Sequence, residues 1–191
     1  MKHIFIIEHL EPKLWPWCII EYKSISGIVG KSNLWFTNID KRDIKKLSKY
    51  GKVFSESIKD MNLENACVLD PDSEVLLSPQ NSKKFQHFIF GGILGDNPPK
   101  KRTSPELTRF IKNAETRNIG KEQFSTDNAV YVVHEIHNGK KFSDIKFKDT
   151  IEIGINKIES VILPYRYPMI NKKPRISKEL ITYLKKHPGF D

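Results

Sequence analysis

The sequence predicts one α/β domain over residues 1–191, built on a mainly parallel sheet flanked by helices. Three observations carry this. Short apolar runs recur at residues 3–7, Ala66–Leu69 and His87–Phe90, each the length of a fully buried strand. Segments with helical spacing and helix-start residues lie among them. No repeat, low-complexity stretch or linker divides the 191 residues, a length that suits one core and is short for two.

The elements follow in order. Residues 3–7 read as the first strand and residues 17–29 as a helix. Leu34–Ile39 reads as a strand, and Asp40 as the N-cap of a helix that stops near Gly51. Ala66–Leu69 is a strand closed by the turn pair Asp70-Pro71, with a short helix over 79–84. His87–Phe90 runs straight into Gly91-Gly92-Ile93-Leu94-Gly95-Asp96-Asn97-Pro98-Pro99, a loop of three glycines and two prolines. Ser104 reads as the cap of a helix with Pro105 at its first position. Thr116–Ile119 is a short strand, and a helix starts at Thr126 or Asp127 and ends at Gly139. Ile151–Ile155 and Ser160–Leu163 are strands, the second ending at Pro164-Tyr165-Arg166-Tyr167-Pro168. Ser177 caps a closing helix over 177–186.

Composition excludes several classes. With 38% hydrophobic residues and 11 Phe, 6 Tyr and 3 Trp, the chain is not wholly disordered. No apolar run is long enough for a transmembrane helix, so no membrane partner is expected. Residues 1–9 are too short and too soon charged for a signal peptide. Cys18 and Cys67 have no metal-ligand spacing and read as reduced core thiols of a cytoplasmic protein. His134 and His137 stand three apart without further ligands, so no metal site is expected.

The net charge of +9 is uneven. Residues 1–95 carry +2 and residues 96–191 carry +7, and 26 of the 32 basic residues are Lys. The excess falls in Lys100-Lys101-Arg102, Lys140-Lys141, Lys146/Lys148 and Lys172-Lys173. Such clusters attract phosphates, and they equally suit a solvated surface.

Ligands of open α/β sheets sit beyond the carboxyl ends of the strands. Three strand ends here carry unusual loops: Gly91–Pro99, Gly120–Asp127 and Pro164–Pro168. The first lacks both the dinucleotide spacing and a following Gly-Lys-Ser/Thr. Asp96 in it reads as a proton acceptor or as an Asx-turn residue. Asp127 reads as a helix cap or a site residue. Glu8, Glu11 and Glu21 form a carboxylate group near the first strand's end, suited to a cationic substrate.

These segments together resemble a known group. Phe88-Ile89-Phe90-Gly91-Gly92-Ile93-Leu94-Gly95-Asp96-Asn97-Pro98-Pro99 with Arg102-Thr103 resembles the first cofactor loop of a SPOUT-class methyltransferase group. That group includes a eukaryotic enzyme methylating an arginine of a small-subunit ribosomal protein. Ile7-Glu8-His9-Leu10-Glu11, with Trp17 and Glu21-Tyr22, resembles its N-terminus. Asn118-Ile119-Gly120 with Gln123–Ala129 resembles its second loop, and Leu163–Tyr167 with Lys173-Pro174 its third. Ser125 and Asn128 depart from the threonines expected there.

The resemblance implies S-adenosylmethionine as cofactor and a C-terminal trefoil knot, which sequence physics alone would never suggest. It implies cofactor contacts from Phe90, Gly91, Gly92, Ile93, Leu94, Gly95, Asn118, Gly120, Gln123, Thr126, Asp127, Leu163, Pro164 and Arg166. The backbones of Gly91, Gly92, Gly95 and Gly120 would bond adenine and ribose, and Ile93, Leu94 and Leu163 would wall the pocket. For the chemistry, Asp96, Glu8 and Glu21 are the candidate catalytic carboxylates. They would grip an acceptor guanidinium, which stays protonated at neutral pH. Arg166 would hold a carboxylate or the donor's methionyl end. A small-subunit ribosomal protein is the expected partner, with ribosomal RNA touched through the C-terminal-half lysines. The rival reading is a SPOUT RNA methyltransferase acting on rRNA or tRNA, and a third is a ribosome-binding module without catalysis. Monomer and knot-mediated homodimer both stay open.

Overall fold

The computed structural model describes residues 3–156 and 158–187. Six strands form one parallel sheet: β1 (Ile4–His9), β2 (Leu34–Thr37), β3 (Lys52–Val53), β4 (Ala66–Leu69), β5 (His87–Gly92) and β6 (Ala114–Arg117). Their order is β3-β2-β1-β5-β4-β6, so the chain works outward from β1, crosses, and returns to lay β5 beside it. Helices α1 (Pro16–Val29), α2 (Ile44–Leu47), α3 (Pro79–Ser82), α4 (Thr103–Glu106) and α5 (Thr126–His137) connect or follow these strands.

Every residue of β1 is buried, as a parallel strand covered on both faces requires. Alternate side chains split between two cores. Phe5 and Ile7 join Tyr22 and Ile25 of α1 and Val130 and Val133 of α5 on one face. Ile4 and Ile6 join Ile58, Val68, Ile89 and Leu107 on the other. Cys18 and Cys67 are free and buried, and burial pushes both thiols up to about 12. Among the described residues no helix is long and apolar enough to cross a membrane.

The C-terminal part departs from the sequence reading. The strands β7 (Phe147–Gly154), β8 (Ser160–Ile170) and β9 (Lys173–Pro174) form a separate antiparallel sheet in the order β7-β8-β9. β8 therefore runs through Pro164–Pro168, where the prolines predict a loop. Proline is tolerated in a strand where no ladder N–H is needed. Pro164 falls where the β7–β8 register shifts between Asp149 and Ile151, a bulge with Thr150 at φ 57°. Period two then buries Leu163, Tyr165 and Tyr167 against Trp17 and Ile20 of α1 and Leu180 and Leu184 of α6 (Lys178–Lys186). The Ser177 hydroxyl caps α6 as expected, accepting from the Leu180 N–H at 3.0 Å.

Smaller corrections have local causes. Asp40 caps no helix: its carboxylate turns onto the Arg42 N–H and guanidinium, and the helix shrinks to Ile44–Leu47. Ser104 lies inside α4, which begins at Thr103 with no side-chain cap. β6 sits two residues earlier than expected. The two-residue β3, paired to Trp35 and Phe36, is too short for any apolar pattern to reveal.

Candidate active site

A cleft of about 340 Å³ opens beyond the carboxyl ends of β4 and β5, in the size range of small-molecule sites. Of the residues expected to bind cofactor, Phe90, Gly91, Ile93, Gly95, Gly120, Gln123 and Thr126 line it, together with Asp96. Gly92, Leu94, Asn118, Asp127, Leu163, Pro164 and Arg166 stand outside its walls. The structure adds Leu69-Asp70-Pro71, Lys100–Thr103 and Ile119. Two of the three expected loops thus meet, joined by the turn after β4. Leu163 instead lies in the core beneath, and Leu94 packs across two cores.

Local chemistry shapes the walls. The Asn118 side chain accepts from the Gly120 N–H at 3.0 Å and donates to the Ser73 carbonyl at 2.9 Å. Gly120 then turns at φ 100°, a conformation that L side chains rarely adopt. Gly95 is required for a different reason: a Cβ there would lie 2.4 Å from the Tyr165 ring. The Tyr165 hydroxyl donates to the Gly95 carbonyl at 3.1 Å. Gln123 donates from its side chain to the Asp96 carbonyl at 3.0 Å, and its own carbonyl accepts from the Arg166 N–H at 2.8 Å. β8 therefore does not enter the cleft; it holds both cleft loops from behind.

Glu11 anchors the first loop from the other side. Its Oε1 accepts from the Leu94 N–H at 3.0 Å and from Arg102 Nη1 at 2.8 Å. Arg102 also donates from Nε to Glu106 at 2.8 Å. Sequence reading places Glu11 merely among nearby carboxylates. The available signal is Arg102, already part of the loop motif, but the pair spans 91 residues and has no local signature.

The three candidate catalytic carboxylates separate. Asp96 lies in the cleft, paired at 2.8 Å with Lys100, whose side chain is 68% exposed. Glu8 is fully buried away from the cleft walls. It accepts from Thr37 Oγ1 at 2.6 Å, Ser57 Oγ at 2.5 Å and the Ile58 N–H at 3.0 Å. That carboxylate ties β1 to its neighbours and has no face turned to a substrate.

Glu21 is buried in the seam between α1 and α5. It accepts from Trp17 Nε1 at 2.8 Å and from the Thr126 N–H at 3.2 Å. Burial, reinforced by the Asp127 charge, pushes its carboxyl up to about 8. Asp127 caps no helix. It accepts from Ser24 Oγ and Ser125 Oγ, each at 2.8 Å, and from Arg175 Nη1 at 2.9 Å. Arg175, which no sequence pattern singles out, also reaches Asn128 at 2.8 Å.

Arg166 holds carboxylates, one of the two roles expected for it. It forks onto Asp149 at 2.6 and 2.9 Å and pairs with Glu122 at 2.6 Å. Its hydrogen bonds hold the Asp149 carboxyl below the usual range. Among the described residues no His, Cys, Asp and Glu group has the makings of a metal site.

A cleft with apolar walls at Phe90, Ile93, Ile119 and Phe124 and glycines at 91, 95 and 120 fits a flat heterocycle carrying polar groups. Comparison with known proteins agrees with this geometry. The chain is 34% identical over 200 residues to protein arginine N-methyltransferase SFM1 of Saccharomyces cerevisiae, covering 95% of this chain and 94% of the relative. The solved structure of the yeast arginine methyltransferase SFM1 complexed with SAM superposes at TM-score 0.88, with 33% identity, over 97% of this chain and 91% of that one. A dual-specific Trm10 from Thermococcus kodakaraensis shares the fold at TM-score 0.60 and 18% identity, over 74% of this chain and 95% of that one. Residues 4–189 match the family described as "Protein arginine N-methyltransferase SFM1-like", and the chain belongs to that family of SPOUT-like fold.

Proposed function

We propose that this chain methylates an arginine of a small-subunit ribosomal protein in the cytoplasm, with S-adenosylmethionine as donor. The observation that carries the reading is the cleft itself: a glycine-lined pocket of small-molecule size with Asp96 on its wall. The yeast relative's structures with SAM and SAH support the donor. The free, buried cysteines suit a reducing compartment.

When bound, the donor supplies an electrophilic methyl group on a sulfonium. The chain's own part is to place and to dry. The backbones of Gly91, Gly95 and Gly120 would hold the donor's polar edge, and Phe90, Ile93 and Phe124 would exclude water from it. The acceptor guanidinium arrives protonated. Three carboxylates line the cleft, and two are committed elsewhere. Asp70 accepts from Thr108 Oγ1 at 2.6 Å and the Asp72 N–H at 2.9 Å, and Glu122 pairs with Arg166. Among the described residues the Asp96 carboxylate is held only by an exposed lysine, a pairing weak enough for a guanidinium to displace. It would grip the guanidinium and take its proton as the new C–N bond forms.

The test uses labelled donor and a small-ribosomal-subunit fraction, with and without nuclease. Label on protein that survives nuclease supports the reading, and label lost with the RNA overturns it in favour of RNA methylation. Asp96→Asn should lower methyl transfer by about 100-fold or more while donor affinity stays within a few-fold. Full turnover in that variant removes Asp96 from the chemistry.

A further inference from the structure

The lysines beside the cleft differ from those of the antiparallel sheet. Beside the cleft, Lys100 and Lys101 are neutralised by Asp96 and Asp72 at 2.8 and 3.1 Å. In the antiparallel sheet, Lys146, Lys148, Lys172 and Lys173 are all exposed, and none has an ion-pair partner among the described residues.

Strand register gathers these four. Lys148 stands opposite Tyr167, and the Lys146 carbonyl accepts from the Met169 N–H at 2.8 Å. On the other side of β8, Lys173 stands opposite Ile170, and Lys172 occupies the preceding turn. Asn171 and Lys172, at φ 50° and 63°, make the tight turn that brings β9 back against β8. The four cations thus share one end of a three-stranded sheet whose strands lie about 5 Å apart. The nearest acidic side chain on β7, Asp149, is already forked by Arg166. The exposed Asp144, two residues before Lys146, offsets only part of this charge, and the net positive potential draws an external anion.

We infer that this end of the β7–β8–β9 sheet is a docking surface for the phosphate backbone of RNA, the RNA that surrounds the acceptor protein in a ribosomal particle. Charge complementarity favours a polyanion presented as a chain, since the cations are spread around the sheet end: the register puts Lys146 and Lys148 on one face and Lys173 on the other, with Lys172 in the turn. The surface also adjoins the cleft. Arg166, next to the Lys148 partner Tyr167, hydrogen-bonds through its backbone to Gln123 of the cleft wall. RNA held here would set the particle against the cleft without entering it. The identity of the RNA rests on the ribosomal acceptor proposed above; the binding itself does not.

The test is fluorescence anisotropy with a labelled 20-nucleotide RNA stem-loop, on wild type and on a variant with Lys146, Lys148, Lys172 and Lys173 all replaced by Ala. Four neutralised phosphates predict a log Kd against log salt slope of about 3 for wild type. The variant should bind at least 30-fold more weakly with a nearly flat slope, while Lys41→Ala/Lys45→Ala, at and before α2, binds as wild type. Equal loss in both variants, or no loss in the first, overturns the inference. So does tighter binding to phosphatidylserine vesicles through the same four lysines. In parallel, transfer to nuclease-treated small-subunit proteins should be unchanged in the four-lysine variant, with KM raised only on intact subunits. RNA binding that persists when wild type transfers no methyl to protein would sink the acceptor reading and leave the docking surface standing.

Discussion

Two regions of this molecule bury glutamates, and they do so by opposite means. At the carboxyl edge of the parallel sheet, Glu8 is satisfied by two hydroxyls and one backbone N–H, with no cation in the arrangement. In the seam between α1 and α5, Glu21 and Asp127 lie close enough to repel, and one guanidinium, from Arg175, answers Asp127. The first region is complete within residues 8–58. The second is completed only when the C-terminal part of the chain arrives. A closed set of hydrogen bonds makes a strut, whereas charges awaiting a distant partner make a latch.

The largest expected effect comes from breaking the latch. Arg175→Ala strands a buried carboxylate beside another, and stability should fall by about 3–5 kcal/mol. Denaturant melts would show it, and a loss under about 1 kcal/mol would mean that the serines suffice. Glu8→Ala should cost about 2–3 kcal/mol by leaving its donors unpaired. Donor affinity in the folded fraction should nonetheless survive, since the cleft walls are untouched. Abolished donor binding in folded protein would return Glu8 to the active site. Next in size is Gly95→Ala, whose Cβ must push the Tyr165 ring aside. Calorimetry should find donor affinity about tenfold weaker, or about 1.4 kcal/mol, with global stability changed less than in Arg175→Ala.

The finest comparison is a slope. Glu21 is raised to about 8 in the folded protein, above the ordinary 4.5. Between those values the folded state binds more protons than the unfolded state, so stability declines as pH rises from about 4.5 to 8. Glu21→Gln carries no titrating proton. Its stability relative to wild type should climb across that window and level off above it. Parallel pH profiles for the two proteins would contradict the buried, repelled carboxyl.

What the sequence makes legible is local or periodic. β1, β4 and β5 are continuous apolar runs because both faces of a parallel strand are covered, and Ser177 announces α6 through its own hydroxyl. The first cleft loop is legible for the same reason, as a glycine-rich exit from such a strand, whereas the second follows the half-exposed β6 and carries one glycine, Gly120. β8 reads too short because its prolines signal a loop, and only its bulged partner strand explains their tolerance. Arg175 and Glu11 act through partners 48 and 91 residues away, respectively, and no spacing rule reports such distances. Glu8 and Glu21 look alike in sequence. Only their neighbours in space distinguish a strut from a latch.

The hydrogen bonds from Tyr165 to Gly95 and from Arg166 to Gln123 tie the hairpin to the two loops that form the proposed donor site. Whatever steadies those loops from one side eases binding from the other, and thermodynamic reciprocity makes the coupling mutual. A bound donor should therefore shield β7 and β8 from proteolysis and hydrogen exchange. Any partner that seats the hairpin, RNA included, should in turn tighten the donor. On the proposed docking, the C-terminal sheet would thereby become a sensor that reports a seated partner to the donor site without touching the donor.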